Sequence, residues 1–204
     1  MSPSRAKFID LFGCEFPGHA CELSLPRLRF ELAVGGTRKQ RLDAAEQRAQ
    51  TIIHRILRGH DTVEVELTFW DGQYGLPSGT QMHVLADLGM VPVCGGQWHQ
   101  EVEEQDQETA TQEIRYSASV STSSAGLDAV IRALVHADHG RWKELSFLAL
   151  LFVDDPALGL FPYDDRGMDV FAADAAELLP YYRLFAEWLL DYDRPRMKSE
   201  LGIE

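Results

Sequence analysis

The chain has 204 residues, 45% of them hydrophobic and 25% charged, with a formal net charge of −13. A chain of this length buries a sizeable core without disulfide staples, and the composition is ordinary for a globular protein. No window approaches the roughly 18 uncharged apolar residues of a membrane helix, and so negative a field repels nucleic-acid phosphates. Neither a membrane span nor a nucleic-acid partner is expected.

No apolar stretch near the N-terminus is long enough for a signal peptide. Cys14, Cys21 and Cys94 are an odd set with no CxxC pair, which fits free thiols in a reducing compartment. A cytoplasmic location follows as the expectation.

Residues 1–26 carry Gly13, Pro17, Gly18 and Pro26 and are expected to be irregular. Arg27 to Ala33 alternates charged and apolar residues, as a strand with one wet face does. Thr37 with Gln40 makes a capping box for a helix. That helix carries Leu42, Ala45, Ala49, Ile52, Ile53 and Ile56 on one stripe. Thr62 to Trp70 alternates again, so strand, helix and strand suggest a right-handed crossover unit.

Residues 71–113 read as a loop-rich insertion with a short helix over Gln81 to Met90. Glu101 to Glu113 holds six acids and no base, the pattern of a solvated loop or an exposed strand edge. Ile114 to Ser121 is the next strand, and Ser124 caps a helix burying Leu127, Val130, Ile131, Leu134 and Val135. Leu145 to Val153 is apolar enough for a strand buried on both faces. Leu158 to Tyr163 and Met168 to Ala172 complete an antiparallel meander, with Gly167 taking a positive φ in its last turn. A final helix places Leu178, Tyr182, Phe185, Leu189 and Tyr192 on one stripe. The expected fold is an α/β (α+β) sandwich: a mixed sheet of about six strands packed by three to four helices. A single domain spans 27–197, and 198–204 is a tail.

Charge is unevenly spread. Residues 38–58 hold six bases and two acids, whereas residues 154–193 hold ten acids and two bases. The two segments either pair within the fold or face different partners.

The run Tyr163-Asp164-Asp165-Arg166-Gly167-Met168-Asp169-Val170, together with Tyr182 and Trp188-Leu189-Leu190-Asp191-Tyr192-Asp193-Arg194, resembles the signature of a mainly bacterial family. That family is catalogued as domain of unknown function 3885. The strand Arg27 to Leu32 is similar to its start, so the resemblance implies a domain over residues ~25–197 on its own extent. It implies no activity.

The acidic turn is the main candidate site. Asp154, Asp155, Asp164, Asp165 and Asp169 are carboxylates on one meander. They could hold a divalent cation for a hydrolase, although Asp154–Asp155 and Asp164–Asp165 belong at opposite ends of the middle strand. In the structural reading, Asp164 or Asp165 accepts turn N–H groups and Arg166 pairs with a carboxylate such as Asp191 or Asp193. His136 and His139 suit a metal by spacing or a helix C-terminus by charge. Cys14, His19 and Cys21 lack a fourth ligand.

No nucleophile elbow, P-loop or dinucleotide fingerprint is present, and no cofactor or metal is expected. The leading expectation is a non-enzymatic acidic module that binds a basic protein, such as a bacterial immunity protein neutralising a toxin. Its contacts are Asp154, Asp155, Asp164, Asp165, Arg166, Asp169, Glu101, Glu103 and Glu104. The alternatives are a metal-dependent hydrolase on Asp164, Asp165 and Asp169, and a regulatory module with a small ligand near Trp70 and Trp98.

Overall fold

A computed structural model describes residues 2–15, 24–71, 99–104, 112–136 and 147–203. The chain opens with a helix where irregular structure was expected: α1, Pro3–Phe12. Ser2 caps it by accepting the Arg5 N–H at 3.2 Å, Pro3 stands in its first turn, and Gly13 ends it in the left-handed region at φ 65°. Proline inside the start and glycine past the end are strong helix punctuation, which the count of breakers obscured.

Next come β1 (Arg27–Glu31), α2 (Arg38–Ile56) and β2 (Thr62–Asp71). The capping box of α2 forms as expected, and its apolar stripe is buried. β3 (His99–Glu104) and β4 (Gln112–Ser121) follow, then α3 (Ala125–Val135), capped by Ser124. The Gln81–Met90 helix, Tyr74, Trp98, His139, Gly140, His19, Cys21 and Cys94 lie outside the described residues. The meander is β5 (Phe147–Asp154), β6 (Ala157–Pro162) and β7 (Gly167–Ala172).

The fold is α+β, as expected. The described strands form one sheet in the order β1-β7-β6-β5-β2-β4-β3. All six pairings are antiparallel. Parallel direction survives only between strands that are not neighbours. β1 and β2 run the same way, as the strand–helix–strand pattern suggested, but β7, β6 and β5 lie between them. Tight turns within the meander fill the gap that the α2 connection leaves, which is why a local reading saw a mixed sheet.

One sheet face carries the larger core. Leu28, Phe30, Val65, Leu67, Val153, Leu160 and Val170 meet Ile52, Ile53 and Ile56 of α2 and Leu127, Val130 and Ile131 of α3 there. The other face carries a smaller aromatic core under α1: Phe8 and Phe12 pack on Phe152, Phe161 and Phe171. Phe8 meets Phe152 edge-on at 5.5 Å, and Phe12 meets Phe171 at 5.3 Å; such geometry adds to plain burial. Gly159 makes room for this cluster, because a Cβ there would stand 2.1 Å from the Phe171 ring.

The expected final amphipathic helix is instead a chain of short pieces. These are 3₁₀ turns at Ala175–Leu178, Ala186–Trp188 and Asp191–Asp193, with α4 (Leu179–Leu184) and α5 (Arg194–Leu201). The segment bends so that Leu178, Phe185, Leu189, Met197 and Leu201 all reach the core, while Tyr192 is 75% exposed. Residues 198–201 therefore belong to the packed domain rather than to a tail.

Candidate functional site: the acidic turn and the two sheet edges

The β6–β7 turn is built around Asp164. Its Oδ1 accepts the Arg166 N–H at 2.7 Å, and its Oδ2 accepts Arg166 Nε at 2.8 Å and also Nη2. This is the turn-stabilising carboxylate expected, but the partner of Arg166 is Asp164, not Asp191 or Asp193. Asp191 accepts from Arg194 at 2.7 Å instead. Asp165 is turned inward to Arg41 of α2 at 3.7 Å, so the basic and acidic segments do pair at this point.

Gly167 does not take a positive φ; the described glycines that do are Gly13, Gly36, Gly59 and Gly202. Its reason for being glycine is a close approach. A Cβ would lie 2.5 Å from Tyr163 Oη and 2.7 Å from the Phe30 carbonyl oxygen. The sequence shows turn composition but not the chain that passes beside it.

Asp169 is wholly buried on the α1 side of the sheet. Directly across the ladder, Arg29 grips it in fork geometry, with Nε to Oδ1 at 3.0 Å and Nη2 to Oδ2 at 3.2 Å. Arg27 Nε approaches at 3.8 Å. The hydrogen bond that Arg29 donates to Asp169 raises the Arg29 pKa despite burial. Burial first, and the Asp169 carboxylate second, push the Tyr163 phenol upward. Arg29 also reaches Asp193 at 3.9 Å. Asp193 in turn accepts from Arg196 at 2.9 and 2.5 Å, and Arg196 donates to Glu200 at 2.6 Å. The hydrogen bond from Arg196 holds the Asp193 carboxyl below its usual range.

Asp154 and Asp155 stand at the far end of β6, exposed, with Lys7 of α1 at 3.1 Å from Asp154. The hydrogen bond from Lys7 lowers the Asp154 pKa. The meander thus keeps these carboxylates apart from Asp164, Asp165 and Asp169. Among the described residues, no three His, Cys, Asp or Glu side chains are grouped to hold a metal ion. His136 points to Glu46 of α2 at 3.1 Å, beside Arg132, so it serves a helix–helix contact. The structure also shows a buried pair that the sequence did not flag: Glu66 and Arg115 at 3.7 Å on the α1 side of β2 and β4. Each sits in an ordinary alternating strand, so nothing in the local pattern marks it.

The two sheet edges differ. β1 is covered by its own chain: Arg27 N–H donates to Glu200 at 3.0 Å, and the Arg27 carbonyl accepts from Arg196 at 3.4 Å. The Arg29 N–H meets Met197 Sδ at 3.3 Å, and the Arg29 carbonyl accepts the Leu190 N–H at 2.9 Å. The Glu31 carbonyl accepts from Arg48 at 2.9 Å. The opposite edge is β3, which contains Glu101, Glu103 and Glu104. It pairs on its inner side with β4, Glu101 opposite Arg115 and Glu103 opposite Glu113. Among the described residues no strand lies on its outer side.

These features define an α+β domain with one long antiparallel sheet, covered on both faces and closed at one edge. Residues 11–193 match the family described as domain of unknown function (DUF3885), and the chain belongs to that family. No curated protein matches the chain. No solved structure matches it either. The first signature block lies within the matched span and the second lies within it as far as Asp193, and Arg29 joins them by touching Asp169 of one and Asp193 of the other.

Proposed function

We propose that this protein is a non-enzymatic module that binds a basic protein through its acidic sheet edge. The observation that carries the reading is the position of the acidic run: residues 101–104 form the edge strand β3, while the other edge is closed by the chain's own side chains and C-terminal segment. An edge strand offers a row of backbone donors and acceptors to an added strand. Glutamates along it select a lysine- or arginine-rich partner and speed its encounter. A basic toxin is one such partner, which would make the protein an immunity protein.

The acidic turn contributes less to this surface than the sequence suggests. Asp164, Asp165 and Asp169 are buried and bound to arginines of the same chain. Asp154, Asp155 and Arg166 lie at the surface, Asp154 beside Lys7 and Arg166 bound to Asp164.

The test is association with a small lysine-rich basic protein, measured by surface plasmon resonance over a salt series. Binding whose on-rate falls steeply with salt, and which is weakened about tenfold or more by Glu101→Gln/Glu103→Gln/Glu104→Gln, supports the reading. Unchanged binding by that triple variant removes β3 as the interface.

A further inference from the structure

The basic stretch of α2 is only partly used inside the fold. Lys39 pairs with Asp43, Arg41 with Asp165, and Arg48 bonds the Glu31 carbonyl while lying 5.3 Å over the Trp188 ring. Arg55, in the last turn of α2, and Arg58, just past its end, have no carboxylate partner among the described residues. They face the C-terminal segment across a cleft of about 750 Å³, lined by Arg55, Arg58, Pro180, Tyr181, Arg183 and Leu184. Arg183 likewise forms no ion pair among the described residues. Smaller hollows continue the cleft past Thr51 and His54 on one side and toward Trp188 on the other.

Three guanidiniums around one cleft repel one another, and among the described residues none of them is held in an ion pair. This occurs in a protein with a net charge of −13, where carboxylates to pair them with are plentiful. The remaining walls are Pro180, the Tyr181 ring and Leu184, which is 52% exposed. The cleft thus sets three guanidiniums against three apolar or aromatic side chains, a combination suited to a ligand with an anionic part and an organic part.

We infer that this cleft binds a small organic phosphate. Three planar forks satisfy the several oxygens and multiple charge of a phosphate or diphosphate better than a single carboxylate. The Pro180, Tyr181 and Leu184 surface takes the organic part. The ligand is small because the acidic remainder of the surface repels an extended polyanion such as RNA. The site is independent of β3, so it stands or falls apart from the protein-binding reading.

Isothermal titration calorimetry on the full chain, with inorganic pyrophosphate and with adenosine triphosphate as probes, tests this. Saturable one-to-one binding of at least one probe is expected. Arg55→Gln and Arg183→Gln should each weaken it about tenfold or more, the size expected for loss of a charge-assisted hydrogen bond. Arg132→Gln, which removes a similar charge at the Glu46 pair, should leave the affinity within about twofold, since it changes only the distant field. Absence of saturable heat with both probes at millimolar concentration overturns the inference, as does equal weakening by all three variants. The three arginines are exposed, and thermal melts of each variant show that a lost signal is not lost folding.

Discussion

Arg29 and Asp169 face each other across the β1–β7 ladder, joined by two hydrogen bonds of 3.0 and 3.2 Å, with the carboxylate wholly buried. Removing one partner of a buried pair leaves the other's charge uncompensated, at a cost of about 3–5 kcal/mol. Asp169→Asn is expected to lower the stability measured by urea unfolding by about 3 kcal/mol. Replacing Arg29 and Asp169 together by apolar residues should cost less than the two single changes combined, a coupling that a double-mutant cycle reads directly.

Asp193 gives the same network a pH dependence. The Arg196 hydrogen bond holds its folded pKa below the unfolded value of about 3.9. A depressed carboxylate contributes stability that is fully present above the unfolded pKa and is lost as pH falls through the folded one. Asp193→Asn should therefore melt below the parent at neutral pH. The gap between their melting temperatures should close below about pH 4. A gap that persists undiminished at low pH would mean that the asparagine disturbs packing rather than charge.

Gly159 and Phe171 form a second coupled pair. A methyl group at 159 would collide with the Phe171 ring, which is held by Phe8 and Phe12. Gly159→Ala is expected to cost about 1–3 kcal/mol, as overpacking does. In a Phe171→Leu background most of that cost should vanish, since the smaller side chain clears the space. The measurement is again the shift in urea midpoint for the four members of the cycle.

Phe8 tests whether α1 is part of the cooperative unit. It is fully buried and contacts Phe12, Phe152 and Phe171. Phe8→Ala should destabilise by about 3–5 kcal/mol. If α1 were a loosely attached appendage, the variant would keep the parent's global melting temperature and show only local changes in amide exchange.

Much of the fold was legible wherever periodicity spoke for itself. α2 announced its buried stripe, its capping box and its length, and the meander announced its strands and turns. What local patterns miss is pairing at a distance. Nothing near Arg27 to Glu31 says that β7 lies beside it, or that the C-terminal segment seals its outer edge. The aromatic stripe after Leu178 resembled one helix because its spacing is helical, but tertiary packing broke it into short turns to bring Leu189 and Met197 inward. Of the candidate site, the turn carboxylate Asp164 was readable from composition. The burial of Asp169, the steric reason for Gly167 and the meeting of Arg183 with α2 were not, because each depends on a segment far away in the chain.

The sealing of β1 also limits how the molecule can assemble. A sheet with two open edges can add copies of itself without end, which is the route to fibres. Here the first strand already spends its outward groups on Glu200, Arg196, Leu190 and Arg48. Among the described strands, β3 is the edge left for growth. A second copy joined β3 to β3 about a twofold axis yields a finite complex whose remaining edges are the two β1 strands, both already closed.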